Sequence, residues 1–159
     1  MFALTCGEFA DGGRIPLEQV HFDAGGKNIS PSLSWTGAPA GTKSFAVTCH
    51  DPDAPTGSGW WHWVVFNLYP SVTSLPAGIG GPARGAIPGA VQGVTDYGTA
   101  GWGGPCPPPG HGDHRYVFTV HALSVEHLDL PAEASAAKVG FNLWANRLAS
   151  ASLTGLYGR

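Results

Sequence analysis

Nine consecutive residues, "WWHWVVFNL" from Trp60 to Leu68, contain no glycine, no proline and no Asp, Glu, Lys or Arg, and are aromatic or β-branched almost throughout. Side chains of that kind are stiff at χ1 and fit a pleated surface, so the run is expected to be a strand covered on both faces. "RYVFTVHAL", from Arg115 to Leu123, is a second run of the same kind. A third, "SFAVTCHD" from Ser44 to Asp51, alternates Phe45, Val47 and Cys49 with Ala46, Thr48 and His50. Period two is the signature of a half-buried strand. These three runs are expected to build a central sheet.

Glycine and proline punctuate the remainder: 24 and 14 of the 159 residues, set between apolar segments as in a loop-rich β protein. The stretch from Tyr69 to His114 has no long periodic run and holds Pro70, Pro76, Pro82, Pro88, Pro105 and Pro107 to Pro109. A connection of that length in a compact domain is expected to serve a function, with "AVQGVTDYG" (Ala90 to Gly98) its best candidate for a short strand. After Pro131 the pattern turns helical, with Val139, Leu143, Trp144 and Leu148 at three- and four-residue spacings, which predicts one or two short C-terminal helices packed on the sheet. The reading is a mainly β protein of a single domain, residues 1–159, with one core.

Composition excludes several function classes. The basic residues Arg14, Lys27, Lys43, Arg84, Arg115, Lys138, Arg147 and Arg159 are scattered and the net charge is -3, so nothing tracks a polyanion and nucleic acid is not an expected partner. No span is long enough to cross a bilayer, and "MFALTCGEF" lacks the charged start and apolar run of a secretory signal; a cytoplasmic location is expected. Cys6, Cys49 and Cys106 are odd in number and match no zinc-ligand spacing, so all three read as thiols. With 12% charged residues, the surface must be largely neutral, which favours self-association as a homodimer.

The chemistry concentrates in three places. In Asp51-Pro52-Asp53-Ala54-Pro55 each proline fixes its own φ and pushes the residue before it toward extended backbone. Such a loop aims its acids with little entropy left to lose, although a short acid at a strand end also caps turns. His62 lies inside an apolar strand. His114 shares parity with Tyr116, Phe118 and Val120, which turns the imidazole and the phenol to one face. Before it runs "GWGGPCPPPGHGD" (Gly101 to Asp113), whose glycines leave backbone N–H groups open to close approach. If the strands of His62 and His114 are neighbours, these imidazoles, the phenol, the amides and Asp51 enclose a small-anion pocket with Trp60 at its rim.

The stretches "DGGRIP" (Asp11 to Pro16), "SPSLSW" (Ser30 to Trp35), "DPDAPTGSGWWHW" (Asp51 to Trp63), "GPCPPPG" followed by "HRYVF" (Gly104 to Phe118) and "LASASLTG" (Leu148 to Gly155) run in order over nearly the whole chain. In them the sequence resembles the bacterial members of the phosphatidylethanolamine-binding protein family, also called Raf kinase inhibitor-like proteins. The resemblance implies an antiparallel β-sandwich-like fold, with a large central sheet, a smaller second sheet and C-terminal helix. It also implies a pocket for phosphate, phosphoethanolamine head groups or phosphorylated side chains. On the matching positions Asp51, Asp53, His62, His114 and Tyr116 would line the pocket, Trp60 would shape its mouth, and Gly104 would offer its N–H. Animal members often carry a further histidine where Trp61 stands.

The function expected is therefore non-catalytic binding of a small phosphate-bearing ligand, with no cofactor, by a protein that could regulate a kinase or a protease. Apolar contact from Trp60 and Trp63 is expected to supplement the anion contacts. Affinity for phosphate is expected to rise as pH falls through about 6.5, where an unperturbed imidazole protonates and becomes a double donor. The alternative is a hydrolase. Asp51, Asp53, His62 and His114, or the local cluster of His111, Asp113 and His114, would hold a metal and activate water. Ser58 in "TGSGW" lacks the glycine two positions before it that a nucleophile elbow needs.

Overall fold

The computed structural model describes residues 1–81 and 87–159; Pro82 and Arg84 lie outside the described residues. The chain forms β1 (Ala3–Cys6), β2 (Leu33–Thr36), β3 (Ser44–Asp51), β4 (Trp60–Leu68), β5 (Ser74–Leu75), β6 (Val91–Gln92), β7 (His114–Leu123), α1 (Ala136–Asn146) and β8 (Arg147–Tyr157). Two sheets result, a three-stranded one ordered β1-β2-β5 and a five-stranded one ordered β6-β4-β3-β7-β8. All of these pairings are antiparallel. The protein is thus mainly β, with a large sheet, a small sheet and one C-terminal helix.

The apolar runs form strands where their residues predict, but β3 lies between β4 and β7, so the strands of His62 and His114 are not neighbours. Strand separation of about 4.8 Å therefore sets their axes about 10 Å apart. Nor is β3 half-buried. Phe45, Val47 and Cys49 join a core shared with Leu33 and Trp35 of the small sheet, while Ala46 packs in a second cluster with Val64, Phe66, Leu123, Val139 and Leu143. Both faces of β3 are covered because α1 lies on the side away from the small sheet. In β7, by contrast, Arg115 is exposed and Val117 and Thr119 are half-buried, so only its second half is closed on both faces.

Ser135 starts α1 by accepting a hydrogen bond at its Oγ from the Lys138 N–H at 3.2 Å. The helix ends at Asn146, and the chain passes straight into β8, which pairs with β7 from Leu123↔Arg147 to His114↔Tyr157. The helical spacing of Trp144 and Leu148 is coincidental: Trp144 is 67% and Leu148 46% exposed, and Leu148 is in the strand. The period of two running through Ala149, Ala151, Leu153, Gly155 and Tyr157 is the pattern that decides this segment, and Leu153 and Tyr157 join the core between the sheets. Close packing explains Gly155, where a Cβ would come within 2.5 Å of Ile15.

Candidate functional site

One break in the β3–β4 register aims the site. Cys49 pairs with Trp63 and His50 with Trp61, which leaves His62 as an extra residue with no partner on β3. A bulge of this kind lets two adjacent side chains turn to the same face. Trp63 packs against Trp102 (centroids 5.7 Å apart) and His62 against Tyr116 (5.1 Å), both on the face toward the small sheet. The turn of Thr56 to Gly59 brings the chain to β4, and Gly59 holds φ 70° there, where a Cβ would strike the Asp51 carbonyl at 2.5 Å.

At this end of the sheet a cavity of about 230 Å³ is lined by Asp51, Trp60, His62, His114 and Tyr116, which the sequence singles out. Tyr97 and the loop residues Ala54, Pro55, Thr56, Cys106, Pro107 and Pro108 complete its wall. Asp51 has two tasks. Its Oδ1 accepts the Asp53 N–H at 2.7 Å, the turn-capping bond open to any short acid, and its Oδ2 accepts from His114 Nδ1 at 2.7 Å. The other nitrogen of His114, Nε2, lies 2.6 Å from Nδ1 of the exposed His111. Both ring nitrogens of His114 are therefore engaged within the protein.

His62 is held differently. Its Nδ1 lies 2.6 Å from the Gly103 carbonyl, which can only accept, so Nδ1 carries the proton. Nε2 has no partner among the described residues and stands as an acceptor. Burial lowers the imidazole pKa to about 4, against which bonding to the Gly103 carbonyl and the charge of Asp51 act in the opposite sense. His62 is neutral at ordinary pH and does not become a double donor near pH 6.5, contrary to the sequence expectation.

Of the residues lining the cavity, two hold buried donors without a partner among the described residues: the Tyr116 hydroxyl and the Trp60 Nε1. Burial raises the Tyr116 pKa, so the phenol keeps its proton. Tyr97, which the sequence offered only as part of a candidate strand, packs edge-on against Trp60 and His62 and donates its hydroxyl to the Gly104 carbonyl at 2.8 Å. Its place became visible only once the bulge and the loop at residues 101–108 were both in position.

Asp53 and Gly104 lie outside the cavity lining. The Arg115 backbone N–H, Nε and Nη2 all donate to the Asp53 carboxylate at 2.8 to 2.9 Å, which holds the acid's pKa down to about 2. Asp53 thereby clamps the DPDAP loop to β7. Gly104 gives its N–H to Asn28 Oδ1 at 2.7 Å, and a Cβ there would lie 2.1 Å from the Gln19 carbonyl, so this glycine serves packing. Trp63 is wholly buried in the core and cannot touch a ligand in the cavity. The exposed Ser58 offers only its carbonyl to His50, at 3.0 Å. No group of three or more His, Cys, Asp or Glu among the described residues is placed to hold a metal ion.

A sequence model of the phosphatidylethanolamine-binding proteins matches residues 5–158. YbhB of Escherichia coli is 50% identical over 156 residues, covering 97% of this chain and 98% of the relative. The crystal structure of Escherichia coli YbcL, described as a new member of the mammalian PEBP family, superposes with a TM-score of 0.96 at 48% identity, covering 99% of this chain and 98% of that one. A PEBP homolog from Chlamydia trachomatis superposes with a TM-score of 0.83 at 33% identity, over 99% of this chain and 97% of that one.

Proposed function

The chain belongs to the phosphatidylethanolamine-binding protein family, and from that premise we propose that it is a non-catalytic binding protein whose cavity takes the phosphate group of a small ligand. One observation carries the reading: Tyr116 and Trp60 line a cavity and bury polar hydrogens that nothing among the described residues accepts. A buried donor left unmade costs about 1 to 3 kcal/mol, a penalty that an oxygen-bearing ligand removes.

Among the described residues no lysine or arginine lines the cavity, so the grip comes from neutral donors at low dielectric. Two charge-assisted bonds contribute about 3 to 6 kcal/mol, whereas association costs at least about 4, so bare phosphate binds weakly. The remainder of the ligand adds apolar contact with Pro55, Pro107, Pro108 and Trp60 of the cavity lining. Metal-assisted hydrolysis is disfavoured on geometry, because Asp51 is committed to His114 and the Asp53 amide, and the His114 nitrogens are both bonded.

The same reading extends to a cytoplasmic homodimer. Among the described residues no helix is long and apolar enough to cross a membrane. Phe141 and Trp144 (centroids 5.9 Å apart) stand exposed on α1 as an apolar face that a second copy would cover. Equilibrium sedimentation tests the dimer. The binding reading is tested by a phosphorus NMR titration of O-phosphoethanolamine between pH 5.5 and 8. Broadening that is lost in Tyr116→Phe is the expected result, and no binding at any pH in that range overturns the reading.

A further inference from the structure

We propose that the cavity selects a singly protonated phosphomonoester, an anion that carries both acceptor oxygens and one O–H, over phosphodiesters, sulfate and the phosphomonoester dianion. The inference rests on the binding reading above and concerns which phosphate species fits.

The hydrogen-bond inventory carries it. Among the residues that line the cavity, Tyr116 and Trp60 hold the two donors, a hydroxyl and an indole N–H, that are buried without a partner among the described residues. His62 also lines it, and its Nε2 is left as an acceptor that cannot donate, because the ring's proton sits on Nδ1 against the Gly103 carbonyl. An anion made only of acceptors satisfies Tyr116 and Trp60 but sets an oxygen lone pair against the lone pair of His62. An anion with one O–H satisfies all three. The Asp51 carboxylate lies in the same wall, and its lone pairs beyond those offered to His114 and the Asp53 amide favour an O–H in the same way. Its negative charge also opposes a second charge on the ligand, with no lysine or arginine among the described lining residues to offset it.

Every titratable group around His62 leaves its role unchanged. Asp51 and His50 come from β3, His114 and Tyr116 from β7, and Tyr97 and Cys106 from the loops. The sum of these surroundings, dominated by burial, keeps the ring neutral down to about pH 4. The ligand, whose second ionisation falls near pH 6, is then the partner that titrates.

Calorimetric titration with methyl phosphate, dimethyl phosphate and sulfate at pH 5.5, 6.5 and 7.5 tests this on the wild-type protein. Methyl phosphate is expected to bind at least tenfold tighter than sulfate or dimethyl phosphate at pH 5.5. Above pH 6 it should weaken about tenfold for each pH unit, following the loss of its own proton. The two anions that do not titrate should show a flat profile. In His62→Leu, checked for folding by its thermal transition, the preference for methyl phosphate over sulfate should shrink toward unity. Equal binding of sulfate, or methyl phosphate affinity that holds or rises from pH 5.5 to 7.5, overturns the proposal. A parallel strengthening of all three anions in acid also overturns it, by assigning the pH dependence to His111 or His114. Failure of every phosphate species to bind would instead remove the binding reading itself.

Discussion

On the face of the large sheet that α1 covers, His121 shares a hydrogen bond with Thr48 (3.0 Å) while its Nδ1 finds no partner, and aliphatic side chains fill the space around α1. On the opposite face, at the end carrying Asp51, His62 is equally buried and the unpartnered groups are Tyr116 and Trp60. Burial depresses both imidazoles to a pKa of about 4. The difference is space. The unmet nitrogen of His121 is shut beneath packed chains, whereas the unmet donors of Tyr116 and Trp60 belong to residues lining a cavity of about 230 Å³. Burial and a shifted pKa are thus common to both faces, and what sets the proposed binding face apart is unsatisfied donors on residues that line a cavity.

The trait shared by the two faces gives the largest expected effect. The unfolded chain takes up protons on histidine from about pH 6.5 downward, whereas folded His62 and His121 do so only near pH 4. The folded pKa lies below the unfolded one, so stability is lost as pH falls through that window. Between pH 7 and 5 the loss is expected to be roughly 2 kcal/mol for each imidazole, read as a fall in the urea midpoint. A midpoint constant over that range would mean that burial does not depress the two imidazoles alike, and the shared trait would be lost.

The faces should then part under mutation. Leu143→Ala empties a packed site beneath α1 and is expected to cost about 3 kcal/mol of stability, with methyl phosphate affinity unchanged in calorimetry. Tyr116→Phe should do the reverse, weakening that affinity tenfold or more while the melting temperature holds or rises, because a buried hydroxyl without a partner has been removed. A Tyr116→Phe protein that melts lower and binds normally would make the cavity face structural like its opposite.

Asp53→Asn is expected to have the smallest effect, since the clamp to Arg115 is largely exposed to solvent. Affinity should change by less than about threefold, within the range of an exposed ion pair. The observable is faster amide exchange in the loop of Asp51 to Gly59. In the wild type the Arg115 bonds lower the acid's pKa, so the clamp is intact above about pH 4 and is released as pH falls toward about 2.

The strand β4 could be read directly from the sequence because aromatic and β-branched residues fill most of it, whereas β3 was legible as a strand from its alternation but not as one buried on both faces. β8 was harder to see: alanine and serine carry little strand preference, and the alternation of Ala149, Ala151, Leu153, Gly155 and Tyr157 is drowned by helical spacing that begins upstream. For the site, Asp51, Trp60, His62, His114 and Tyr116 come together, yet the reason is not in any local pattern. A one-residue bulge aims His62, and β3 stands between the two histidine strands, a matter of topology. Asp53 and Gly104 read as pocket residues because an acid and a glycine in stiff loops look alike whether they face a ligand, an arginine or another backbone. Their partners, Arg115 and Asn28, are distant in sequence and declare themselves only in three dimensions.

Pro55, Pro107 and Pro108, rings whose φ is fixed, form part of the cavity wall, so that part of the wall has few ways to close over an occupant. Arrival and departure are then governed by diffusion and the shedding of water, with no flap to wait for. An occupant held through such a doorway should exchange rapidly on the NMR chemical-shift timescale, and only its head need fit inside while a long tail or a whole protein remains in solution.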